Sequence, residues 1–267
     1  MKKIDLIKVA LITSVVFSNA VFAGSSCKDL PSASELKTAL TAAKNDPAGN
    51  GGVHAPEWLT LVDTSGNICA VVHSEAVDAD TTTLLAPIHR IYAAQKASTA
   101  NGFSRAGIAV STAQLWYGSQ KSEISSGVDA GINTSLNPYT GDPKTWGTLK
   151  DLLIGKRIGS TNTMPGGLPL YDKTKTKVGA IGVSGDFRCT DHVIAWKVRE
   201  NLRNGAYTVA NNAFGLSAAH NDAMIQDIDA NGISKSGFGF YKCEAPTVIP
   251  TGLNPTNEND GGSIEGN

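Results

Sequence analysis

Apolar and polar residues follow two rhythms along this chain, and the switches between them mark out its elements. Leu36, Ala39, Leu40 and Ala43 recur at helical spacing, so Glu35–Lys44 reads as an amphipathic helix capped by Ser32 or Ser34. Asn45–Gly52, with one proline and three glycines, breaks it. Trp58–Val62 and Ile68–Val72 are β-rich runs around Asp63-Thr-Ser-Gly66, and an aspartate first and glycine fourth in the turn predict a hairpin. Pro87–Asn101 predicts a second helix, with proline in its first turn and Asn101-Gly102 at its end. Its Ala93, Ala94, Ala97 and Ala100 are small enough to let it lie very close to a sheet.

Residues 103–165 carry less pattern. Gly, Ser, Asn and Pro dominate from Gly118 to Lys144, which predicts a long irregular segment with short helical pieces. Order returns at Gly166–Tyr171, the turn Asp172–Lys177 and the run Val178–Ser184, a second hairpin. A glycine-containing turn then leads into a helix from Asp191 to Asn204, with Val193, Ile194, Trp196, Val198 and Leu202 as its apolar stripe. No repeat or linker divides residues 27–243, so 24–243 reads as a single domain. The Pro-, Asn-, Gly- and acid-rich stretch 244–267 reads as a disordered tail.

The first 23 residues follow a different logic. Lys2, Lys3 and Lys8 precede an apolar run from Val9 to Phe22, which ends in Val21-Phe22-Ala23 before Gly24. A positive start, a short apolar run and a small-residue exit are the marks of a secretory signal peptide. The run is shorter than the ~20 residues a membrane span needs, so the expected mature chain is periplasmic or secreted, with no span after processing. Removing residues 1–23 takes three lysines and one aspartate, leaving 20 basic and 23 acidic side chains and a formal charge of −3. That balance argues against nucleic acid or an anionic membrane as a partner, since both favour clustered positive charge. Cys27, Cys69, Cys189 and Cys243 remain, an even count that suggests two disulfides with three possible connectivities. Two cysteines lie near the ends of the folded region and two inside it, which favours Cys27–Cys243 and Cys69–Cys189. None sits in the close pairs that zinc sites use or in a c-type haem attachment motif.

Most enzyme motifs fail on inspection. Gly182-Val-Ser-Gly185 is followed by Asp186, which breaks the G-x-S-x-G nucleophile elbow. The glycines at 179, 182 and 185 do not make G-x-G-x-x-G, and neither a P-loop nor HExxH is present. What survives is a strand, a Ser184-Gly185 turn and a helix start, whose free backbone N–H groups suit a carboxylate or propionate. The plainer alternative is a tight turn that carries no ligand. The histidines are His54 after the glycine loop, His73 at a strand end, His89 in a helix first turn near Tyr92, His192 at a helix start, and His220. Each alone is more often a surface or capping residue than a ligand, and no pair has the i, i+4 spacing of a metal site.

Several blocks carry a resemblance. Asn50-Gly-Gly52, the Trp58–Val62 and Ile68–Val72 hairpin and Ala94-Gln-Lys-Ala97 with Thr99-Ala-Asn101 resemble GlcG/HbpS-like proteins. So do Gly155-Lys-Arg-Ile-Gly159, Gly166-Gly-Leu-Pro-Leu170 and, most specifically, Val178-Gly-Ala-Ile-Gly-Val-Ser-Gly-Asp186. Cys189–Arg199 resembles a cysteine-bearing, exported branch of that family. The match runs over roughly residues 50–205. It implies an α/β (α+β) profilin-like fold in three layers, a central and mainly antiparallel sheet with helices on both faces. It also implies haem as the cofactor, homo-oligomers, and haem sequestration or degradation. The first helix contains no histidine where some family members place one. The ligand site is then expected around His54, His89, Tyr92, Ser184, Gly185 and His192, with iron ligation by His54, His89 or His192 and a flat ligand between the alanine-rich helix and the second hairpin. The alternative is a binder of, or enzyme acting on, a small carboxylate metabolite; whether the chain is an enzyme is left open.

The exit at Ala23 makes a direct prediction. Intact-mass measurement on exported protein should give a chain beginning at Gly24, and a mass that retains residues 1–23 contradicts the signal.

Overall fold

The computed structural model describes residues 26–75, 86–121, 137–204, 206–207 and 222–243. The signal segment 1–23, His220 and the tail 244–267 lie outside the described residues.

Helix α1 spans Ala33–Lys44 and settles the choice of cap. Ser32 Oγ accepts from the Glu35 backbone N–H while the Glu35 carboxylate accepts from the Ser32 N–H, a capping box. Strands β1 (Trp58–Asp63) and β2 (Ile68–His73) form the first hairpin. Asp63 Oδ1 accepts from Ser65 and Asn67 N–H, and Gly66 sits at φ +80°, where a side chain would be strained. Helix α2 (Pro87–Phe103) runs two residues past the expected Asn101, and α3 covers Thr112–Lys121 inside the weakly patterned region. Residues 122–136 of the expected irregular stretch lie outside the described residues. Strands β3 (Gly167–Tyr171) and β4 (Lys177–Ser184) form the second hairpin, and α4 spans Arg188–Asn201.

The four strands make one antiparallel sheet in the order β2-β1-β4-β3. Helix α2 packs across β4, β1 and β3, while α1 and α4 pack on each other and on the sheet from the other core. The fold is therefore α+β, with helices on both faces of a sheet whose two inner strands are almost wholly buried.

The α2 alanines serve close packing. A Cβ at Gly182 would lie 2.1 Å from Ala93 O and 2.5 Å from Ala97 N, so the helix backbone rests on the strand backbone. Ala93, Ala94, Ala97 and Ala100 are fully buried there, and they leave no gap for a flat ligand between α2 and β4, which corrects the sequence expectation.

Two further expectations change. Helix α4 begins at Arg188 and not at Asp191, because Asp191 sits in its first turn and binds the preceding N–H groups. The disulfides are Cys27–Cys69 and Cys189–Cys243, with Cα separations of 5.2 and 5.8 Å, and not Cys27–Cys243 and Cys69–Cys189. Cys27 lies just ahead of α1, which packs on β2 and so brings it to Cys69, while Phe240, Tyr241 and Cys243 pack in the same core beside Cys189 at the start of α4. Each bridge therefore ties one end to its own neighbour.

Gly182→Ala should be costly for its size. The new methyl meets backbone that cannot rotate away, so a loss of about 1–3 kcal/mol is expected in denaturant unfolding; unchanged stability contradicts the close approach.

Candidate functional site

Where β4 ends and the chain turns into α4, the structure holds a cavity of about 320 Å³. One wall is a face of α2, with His89, Tyr92, Gln95 and Lys96 spaced at helical intervals. Ser184, Asp186, Arg188 and Asp191 line the cavity from the strand end and the start of α4, and Thr161, Asn162 and Met164 line it from a loop.

A buried ion pair organises these walls. Lys96 and Asp191 side chains are each 3% exposed, and Lys96 Nζ lies 2.6 Å from Asp191 Oδ2. The same ammonium donates to Val183 O at 3.0 Å and to Ser184 Oγ at 3.3 Å. The other Asp191 oxygen accepts from Gly185 N–H at 3.1 Å and Asp186 N–H at 2.9 Å. Burial pushes the Asp191 carboxyl up to about 6, against the pull of Lys96 and the two N–H groups. Asp186 in turn accepts from the N–H groups of Val53, Ala55 and Phe187. Three N–H groups of the turn that the sequence offered to an anionic ligand, those of Gly185, Asp186 and Phe187, are thus bound by the chain's own carboxylates.

Ser184 Oγ also lies 2.9 Å from His89 Nδ1. Burial, and then the nearby Lys96 charge, hold the half-buried His89 ring below the usual histidine range. Gln95 is 2% exposed; its Oε1 faces Asn162 Nδ2 at 3.5 Å and its Nε2 has no partner among the described residues. Behind the turn, Glu57 is fully buried with neither carboxylate oxygen hydrogen-bonded among the described residues, and burial followed by the Asp191 charge raises it well above the carboxylate range. A Cβ at Gly185 would lie 2.6 Å from Glu57 Oε2, so this turn position has no room for a side chain.

The sequence candidates divide cleanly. His89, Tyr92 and Ser184 line the cavity together, and Gly185 adjoins it through its bond to Asp191. His54 is exposed at φ +58° and is not among the lining residues. His192 is fully buried outside the lining; its Nδ1 accepts from Gly166 N–H at 3.1 Å. Gln95, Lys96, Thr161, Asn162 and Met164 were missed. The one available signal was Lys96, a charge among packing alanines, which had to find a buried partner.

Comparison with known proteins adds little. No protein-family model matches the chain, and no curated protein matches it. Among solved structures, the chain is similar to Klebsiella pneumoniae protein ORFY of DUF336, at 13% identity and a TM-score of 0.34 over 74% of this chain and 97% of that one. It is similar to a structure described as a PduOC:heme complex, at 16% identity and 0.35 over 66% and 96%. It is also similar to HbpS, at 15% and 0.39 over 73% and 99%. Similarity of this degree assigns neither a family nor a ligand.

The environment of His192 predicts a pH effect. Burial, then Arg199, pull its ring down to about 3 in the fold, against about 6.5 in an unfolded chain. The unfolded state therefore binds the extra proton, and stability falls as pH drops below about 6.5. His192→Asn keeps an acceptor for Gly166 and should flatten the decline between pH 7 and 5 by up to about 1.4 kcal/mol per unit. A decline as steep as the parent's contradicts the assignment.

Proposed function

We propose that this chain is an exported, GlcG/HbpS-like protein that binds haem at the His89 cavity, for sequestration or slow oxidative degradation, and works as a homo-oligomer. Its motifs support the family reading, and the signal-like segment 1–23 supports export to the periplasm or beyond. The observation that carries the ligand reading is the α2 wall, where His89, Tyr92 and Gln95 face a cavity at the lower end of ligand-site volumes. Haem would fit that wall by its carboxylate edge: Gln95 offers a buried Nε2 with no partner among the described residues, His89 a ring nitrogen, Tyr92 an aromatic face, and Arg188 a positive rim held over the Tyr241 ring. Bound haem would supply a redox-active iron.

The size of the cavity favours one second reading, a small carboxylate metabolite held by the same groups.

Titrating haemin into the processed protein should raise a Soret band that saturates. His89→Ala should weaken binding at least tenfold, while His54→Ala leaves it unchanged. No Soret change with the parent protein overturns the haem reading and leaves the metabolite.

A further inference from the structure

We infer that His89 carries its proton on Nε2 and presents it to the cavity as a hydrogen-bond donor, so that a ligand meets this residue through a carboxylate or carbonyl oxygen and not through a metal ion. The inference rests on the proposed cavity and specifies the chemistry of its ligand.

It follows from counting hydrogens. An ammonium group has three and accepts none. Those of Lys96 have three acceptors, Asp191 Oδ2 at 2.6 Å, Val183 O at 3.0 Å and Ser184 Oγ at 3.3 Å. Ser184 Oγ is therefore an acceptor towards Lys96. Its own single hydrogen needs an acceptor too, because the residue is only 2% exposed. Among the described residues the one other polar atom on Oγ is His89 Nδ1, at 2.9 Å. Were Nδ1 protonated, Oγ would receive two donors and its own hydrogen would have nowhere to go. With the hydroxyl donating to Nδ1, every hydrogen of the Lys96 ammonium and the Ser184 hydroxyl has a partner. The neutral ring then keeps its proton on Nε2, which has no partner among the described residues.

A second donor stands on the same wall. Gln95 lies six residues along α2 from His89, nine-tenths and more buried, with Nε2 unpartnered. The buried Gln95 donor lacks an acceptor among the described residues and His89 Nε2–H lines the same cavity, so a ligand that brings acceptors suits both. The acidic groups of the site do not oppose this: Asp191 is paired with Lys96, and Asp186 is hydrogen-bonded to three backbone N–H groups. Were haem the ligand, His89 would hold a propionate oxygen. Lys96 acts here as a positioning residue, because it fixes which way the Ser184 hydroxyl points.

The tautomer is measurable without any ligand. In ¹⁵N-labelled protein at pH 7, two-bond proton–nitrogen correlations of the His89 ring should show unprotonated Nδ1 and protonated Nε2. Ser184→Ala should erase that bias and leave a mixture, and sodium propionate should shift the Nε2 signal in the parent protein. A protonated Nδ1, an imidazolium, or a tautomer indifferent to Ser184→Ala overturns the inference. With haemin, His89→Gln, which keeps a donor but is a poor iron ligand, should retain affinity within about threefold of the parent with the Soret maximum in place; loss of affinity with a moved maximum assigns His89 to iron and overturns it. If haemin does not bind at all, the haem reading fails and the ring measurement still decides the tautomer.

Discussion

The buried pair between Lys96 and Asp191 is the contact on which the site depends. Lys96 comes from α2 on one side of the sheet and Asp191 from α4 on the other, and they meet past the end of β4. Two charges this deep are costly to desolvate, and the pair is worth keeping only if its remaining hydrogen-bonding capacity is filled. It is filled: the ammonium holds the last residues of β4, and the carboxylate holds the two N–H groups of the following turn. One interaction thereby joins both helical layers to the strand end and sets the position of Ser184.

The same device recurs where secondary structure is sparse. Arg90, fully buried on α2, pairs with Asp151 and donates to Pro138 O and Thr140 O, which fastens the segment 137–155 to the helix. Arg199 on α4 pairs with Asp222 and carries the start of segment 222–243, whose end is tied by Cys189–Cys243. Three buried cations on two helices thus organise chain that makes little helix or sheet of its own. The glycine-to-alanine contact between β4 and α2 complements this, because it fixes the helix close enough for Lys96 to reach around the strand end.

Much of the fold was legible in the sequence, and for local reasons. Capping by Ser32, the Asp63–Gly66 turn, the proline at the start of α2 and both hairpins are set by residues within a few positions of one another. The misread features are all long-range. Asp191 reads as a helix start until Lys96, 95 residues earlier, is known to hold it, and the disulfide partners depend on which strand or helix each end packs beside. Of the site, His89, Tyr92 and Ser184 were found through their places on recognisable elements. Gln95 and Asn162 were not, since periodicity says which face of an element is apolar and nothing of which distant loop closes over it.

A double-mutant cycle on Lys96 and Asp191 tests the central claim most directly, with unfolding free energies measured for Lys96→Met, Asp191→Asn and the double variant. Each single change should cost about 3–5 kcal/mol, because it strands a buried group, and the double variant should lose at least about 2 kcal/mol less than the sum. Losses that add within about 0.5 kcal/mol would show that the two residues act independently, and the pair would then not be what holds the site together.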